Sequence, residues 1–85
     1  MGNTYFVNKP IPASIVYKSL LKMGFVEQPK IGSSHCKFKR KDSSGKTYNV
    51  TYAPHHNQIE PMNLRSIIKQ SGFSKDHFLK VLNET

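Results

Sequence analysis

The stretch Gly32-Ser33-Ser34-His35-Cys36-Lys37-Phe38 carries the residues best able to do chemistry, with Lys39, Arg40 and Lys41 directly behind it. An imidazole titrates near neutral pH, so His35 beside a row of cations suits proton transfer on a bound phosphodiester. The cations would hold the phosphate, and Ser33 and Ser34 would either donate to it from the turn or satisfy turn backbone groups. The plain alternative is a solvated strand histidine, because one histidine is not a constellation. Metal chemistry finds little support. His35, Cys36, His55, His56 and His77 are the available ligands, and none has the paired spacing of a structural zinc site. No metal and no cofactor is expected. A Cys36 nucleophile activated by His35 fails on geometry, since adjacent strand residues point to opposite faces.

Those residues need a strand to position them. From Ser34 to Lys41 the chain alternates, with Ser34, Cys36 and Phe38 on one face and His35, Lys37, Lys39 and Lys41 on the other. Asp42-Ser43-Ser44-Gly45 reads as a hairpin connection. Thr47 to Ala53 alternates again, with Tyr48, Val50 and Tyr52 inward; that phase makes the tyrosines core residues rather than base-stacking platforms. Phe25 to Gln28 is a third, shorter strand ended by Pro29. Residues 1–9 form an N-terminal extension in which Tyr5, Phe6 and Val7 either pair as an edge strand or stay loose. Residues 10–85 form one domain.

Three helices complete it. Pro12 suits the first position of a helix in which Val16, Tyr17, Leu20, Leu21 and Met23 face inward, and Ser14, Lys18, Ser19 and Lys22 outward. Gly24 stops that helix. Pro54 to Asn57 reads as a loop. A second helix starts at Pro61, turns Leu64, Ile67 and Ile68 inward, and ends at Gly72. Ser74 then caps a short last helix with Phe78, Leu79 and Leu82 on its inner stripe. The order α-β-β-β-α-α predicts an α+β domain: a three-stranded antiparallel sheet, helices on one face, the other face wet and basic.

Composition narrows the partners. The 85 residues hold 13 Lys and Arg against 5 Asp and Glu, a net charge of +8. So small and basic a chain favours a polyanion, nucleic acid first. Lys37, Lys39, Arg40, Lys41 and Lys46, with Lys18 and Lys22 of the first helix, are the candidate phosphate contacts. No apolar run approaches the ~18 residues of a membrane span, and no signal-peptide pattern opens the chain. The single Cys36 fits a reducing cytoplasm.

Several motifs, in order, resemble one family. Leu20 to Phe25 (L-L-K-M-G-F) is similar to a helix, Gly and aromatic that open a first strand. Gly32 to Phe38 looks like a G-S-H signature with an aromatic three residues on. Ala53 to His56 (A-P-H-H) resembles a Pro-His after the third strand, and Asn63 to Ser74 a last helix with its Gly exit. Together they are similar to the HicA family of bacterial toxins, small ribonucleases of double-stranded-RNA-binding-like fold that cleave mRNA and are restrained by a HicB antitoxin. The resemblance spans roughly Ala13 to Ser74. Ser33, the tail before Pro10 and the helix after Gly72 depart from it. It implies His35 as the catalytic residue and gives His55 no catalytic role.

The expected function is therefore the toxin of a toxin–antitoxin pair: a cytoplasmic, metal-independent mRNA endoribonuclease with a HicB-like antitoxin as partner. His35 would move protons, Lys37 would stabilise the pentacovalent transition state, and the second acid or base is unassigned. A non-catalytic RNA-binding module of the same fold is the alternative. A DNA-binding regulator fits less well, for want of a recognition-helix pair.

Overall fold

The computed structural model describes residues 4–30, 32 and 35–85. In chain order these form β1 (Ile11–Pro12), α1 (Ala13–Lys22), β2 (Val26–Glu27), β3 (Cys36–Lys41), β4 (Thr47–Tyr52), β5 (Gln58–Ile59), α2 (Pro61–Ser71) and α3 (Lys75–Asn83). The fold is α+β, as expected. Strands β2, β3 and β4 make a three-stranded antiparallel sheet in that order, with Phe38 opposite Val50 and Cys36 opposite Tyr52. Cys36, Phe38, Val50 and Tyr52 are buried on one face. Against them pack Val16 and Leu20 of α1, Leu64, Ile67 and Ile68 of α2, and Phe78 and Leu82 of α3. The Phe38 and Tyr52 rings stack with centroids 6.0 Å apart, and burial raises the Tyr52 phenol well above its ordinary pKa.

Helix α1 buries a different stripe from the one expected. Val16, Ser19 and Leu20 are fully buried, whereas Tyr17 and Leu21 are 36% and 44% exposed. Ile15 and Met23 pack partly against the core. The inward set is thus 15, 16, 19, 20 and 23, which places a serine in the stripe. Ser19 is tolerated because its hydroxyl donates to the Ile15 carbonyl (2.8 Å) and meets the Thr85 hydroxyl at 3.1 Å. A buried hydroxyl is cheap only when it is satisfied in this way. Tyr17 instead lies edge-on to Phe38 and donates to Glu27 Oε1 at 2.8 Å.

The helix ends as its sequence indicates. Phe25 N donates to Leu20 O and Gly24 N to Leu21 O, with Gly24 at φ +93°. This is a Schellman closure, and the left-handed turn is what requires the glycine. Its start is less legible. Pro12 precedes the first helical residue and offers no side-chain cap. The Ala13 N–H is taken by the Asn57 carbonyl at 2.9 Å instead.

That contact belongs to a small ladder that sequence patterning did not reveal. Ile11 pairs with Ile59 and Pro12 with Gln58. Both isoleucines are fully buried. The segment expected as a loop is a tight turn: His55 and Gln58 exchange both backbone hydrogen bonds at 2.9 Å. His56 and Asn57 between them have φ of +52° and +62°, the geometry of a two-residue type I′ hairpin. Tyr5, Phe6 and Val7 do not add an edge strand. Asn83 of α3 binds the Tyr5 backbone instead, accepting from its N–H and donating to its carbonyl.

Candidate functional site

Strand β3 sets the site by parity. Lys37, Lys39 and Lys41 are exposed while Cys36 and Phe38 are buried, and His35, immediately before the strand, is exposed as well. The register places Thr51, Asn49 and Thr47 beside the three lysines, and Val26 opposite Lys39. Val26 is 63% exposed. Among the described residues, the open sheet face therefore carries cations, small polar groups and one apolar contact point. None of these residues is acidic.

The nearest carboxylates are turned elsewhere. Glu27 pairs with Phe38 on the helix-covered face, where Tyr17 binds it. Asp42 folds into its own hairpin: Oδ1 accepts from Ser44 Oγ (2.6 Å), Ser44 N (3.0 Å) and Lys46 N (3.0 Å). The Ser44 hydroxyl bond is the main cause of its lowered pKa. Nothing in either arrangement neutralises the strand lysines, so their field stays directed outward.

Other candidates stand apart from that face. Ser33 and Ser34 lie outside the described residues. Lys46 carries its ammonium 5.0 Å from the centre of the Tyr48 ring, on the side of the helices. Lys22 donates to the Glu84 carbonyl at the end of α3 (3.2 Å). Lys18 is exposed on α1, across the sheet from Lys37, Lys39 and Lys41.

Arg40 needs correction as a candidate phosphate contact. It has the parity of Cys36 and Phe38, and its guanidinium carbon lies 4.2 Å from the Phe73 ring centre, 4.4 Å from Tyr48 and 5.3 Å from Phe25. Nη2 donates to the Ser71 carbonyl at 2.8 Å, at the C-terminal end of α2, where a cation also meets the helix dipole favourably. Its Nε is buried with no hydrogen-bond partner among the described residues. Arg40 is a clamp between the sheet and the α2–α3 junction. The alternation that turned Lys39 outward had already turned Arg40 inward.

Two histidines follow β4 at the opposite end of the sheet, where β3 begins. His55 and His56 are both exposed, with ring centroids 4.2 Å apart in an edge-on arrangement. Among the described residues no group of three or more His, Cys, Asp or Glu could hold a metal ion. No helix among them is long and apolar enough to cross a membrane.

A small α+β domain with helices on one sheet face, and an open basic face headed by a histidine, defines a double-stranded-RNA-binding-like class. The chain belongs to the HicA toxins of bacterial toxin–antitoxin systems, whose family model matches residues 13–73, well over half its length. Membership makes it the toxin component of such a pair and implies an antitoxin partner. Searches of curated proteins and of solved structures give no significant match. The matched span runs from α1 past α2; the tail and α3 lie outside it.

Proposed function

We propose that this toxin is a cytoplasmic endoribonuclease acting on mRNA without a metal ion, with His35 as its catalytic residue. The observation that carries the reading is the exposed His35 at the head of a strand whose exposed side chains are all cationic. Lys37, Lys39 and Lys41 hold backbone phosphates without reading sequence, and Lys37, two residues from His35, stabilises the pentacovalent transition state. Ser33 and Ser34 precede the histidine and donate to the same phosphate. Lys18, Lys22 and Lys46, on other surfaces, add long-range attraction. The cognate, HicB-like antitoxin silences the toxin by covering this face.

The test compares wild type with His35→Ala in excess EDTA, by RNA cleavage, RNA affinity and thermal melting. Cleavage should fall by about a hundredfold or more, the usual contribution of a general acid or base. Affinity should persist, because the lysines supply the attraction. Stability should change by about 0.5 kcal/mol or less, as at other exposed positions. Undiminished cleavage by His35→Ala would leave an RNA-binding module instead. Wild-type cleavage that needed added Mg²⁺ would overturn the metal-free mechanism.

A further inference from the structure

We infer that His55 is the second proton-transfer group of this site, a role that rests on the nuclease reading above. Cleavage by the adjacent 2′-hydroxyl needs two such groups. One imidazole takes the 2′-hydroxyl proton as the 2′-oxygen bonds to phosphorus. The bond from phosphorus to the 5′-oxygen breaks, and the departing oxygen takes a proton from an imidazolium on the opposite side. The products are a 2′,3′-cyclic phosphate and a 5′-hydroxyl, with no net change in the protons held by the two rings.

Register supplies the second ring. Cys36 stands opposite Tyr52, so one further step sets His35 opposite Ala53. Strand β4 keeps its phase that far: the Thr51 N–H reaches Gln70 Oε1 at 2.9 Å and the Ala53 carbonyl receives Asn63 Nδ2 at 3.5 Å. Both groups thus point toward α2, as residues two apart on one strand must. His55 follows two residues later, its backbone bonded to Gln58, and carrying the same parity past Pro54 makes it the diagonal neighbour of His35. Such positions lie roughly 7–8 Å apart, room for a phosphodiester between two imidazoles. The surroundings hold the second ring in place. His55 is fixed by its paired backbone bonds to Gln58, and the His56 ring packs edge-on against it at 4.2 Å. The turn that achieves this keeps two non-glycine residues at positive φ, a cost that persists only where the surroundings over-determine it.

The experiment uses the full chain and two substrates: an RNA oligonucleotide, and the same oligonucleotide with sulfur replacing the 5′-oxygen at the cleaved bond. Sulfur leaves without protonation, so the substitution restores activity only to a variant that lacks the general acid. His55→Ala and His55→Gln should each lose about a hundredfold on ordinary RNA, with melting curves close to wild type. One of His35→Ala and His55→Ala should regain most of its rate on the sulfur substrate and the other should not. Normal cleavage of RNA by the His55 variants overturns the inference while leaving His35 and the nuclease reading intact. So does a defect at His55 when the sulfur substrate restores neither variant. Absence of cleavage by wild type overturns the nuclease reading itself.

Discussion

At the scale of single residues, parity decided more than chemical type. Lys37, Lys39 and Arg40 are all cations in one run, yet the first two face water and the third is enclosed by three rings. A reading that groups cations by charge sends Arg40 to a phosphate. A reading by period two sends it to the core, where only the long, planar guanidinium can both stack and donate. What sequence could not show is that Phe25, Phe73 and Tyr48, from three distant segments, converge around it. Arg40→Ala should therefore destabilise the fold by about 2–4 kcal/mol, combining lost ring contacts with the lost bond to Ser71 O. Arg40→Lys should recover only part of that, because an ammonium cannot lie flat between rings. Urea unfolding of the three proteins measures both, and a loss confined to RNA affinity would return Arg40 to the binding surface.

At the scale of elements, strong local signals were legible and tertiary ones were not. The alternation of β3 and β4, the inward Leu64, Ile67 and Ile68, and the Ser74 cap that accepts from His77 N are each written within a few residues. The α1 stripe was misread because Tyr17 and Leu21 are apolar enough to suggest burial, while Ser19 is buried only by virtue of partners elsewhere. The β1–β5 ladder was missed because two-residue strands have no period to detect. The α2–α3 junction offers a quantitative check. At Gly72 the backbone φ is +80°, and an added Cβ would lie 2.7 Å from Cδ1 and 2.8 Å from Cζ of Tyr48, closer still to Cε1. That ring is held by Arg40 and cannot easily move. At Gly24 φ is +93°, but the nearest atom is the Arg40 Cδ at 3.8 Å. Gly24→Ala should cost roughly 1 kcal/mol, the left-handed penalty alone. Gly72→Ala adds a clash and should cost about 3 kcal/mol or more. Equal melting temperatures for the two variants would show that the Tyr48 ring yields freely.

At the scale of the whole molecule, the proposed function puts RNA and antitoxin on one charged surface. The net charge of +8 was plain in composition, but its direction depends on Asp42 and Glu27 being occupied elsewhere. The open face then combines lysines with the 63% exposed Val26 opposite Lys39. A polyanion uses the cations alone, through counterion release, so RNA affinity should fall steeply with salt. A protein partner uses both, since interfaces join an apolar centre to a polar rim. The cognate antitoxin should therefore bury Val26 and present acidic groups to Lys37 and Lys39. Two variants separate these modes. Lys37→Ala with Lys39→Ala should weaken RNA binding for all sequences alike and flatten its salt dependence by about two contacts. It should also slow antitoxin association, because charge steers encounter. Val26→Asp should leave RNA affinity within a few-fold, yet weaken the antitoxin complex by about tenfold or more, the scale of a lost apolar anchor. Expressed with its antitoxin, the Val26→Asp toxin should then inhibit growth where wild type is silent. Amide exchange across β2 and β3 gives an independent reading, with slowing in the complex expected at 26–27 and 36–41. If those amides exchange as in the free toxin while growth is still protected, the antitoxin acts from another surface, and the tail and α3 beyond the family core are the next place to look.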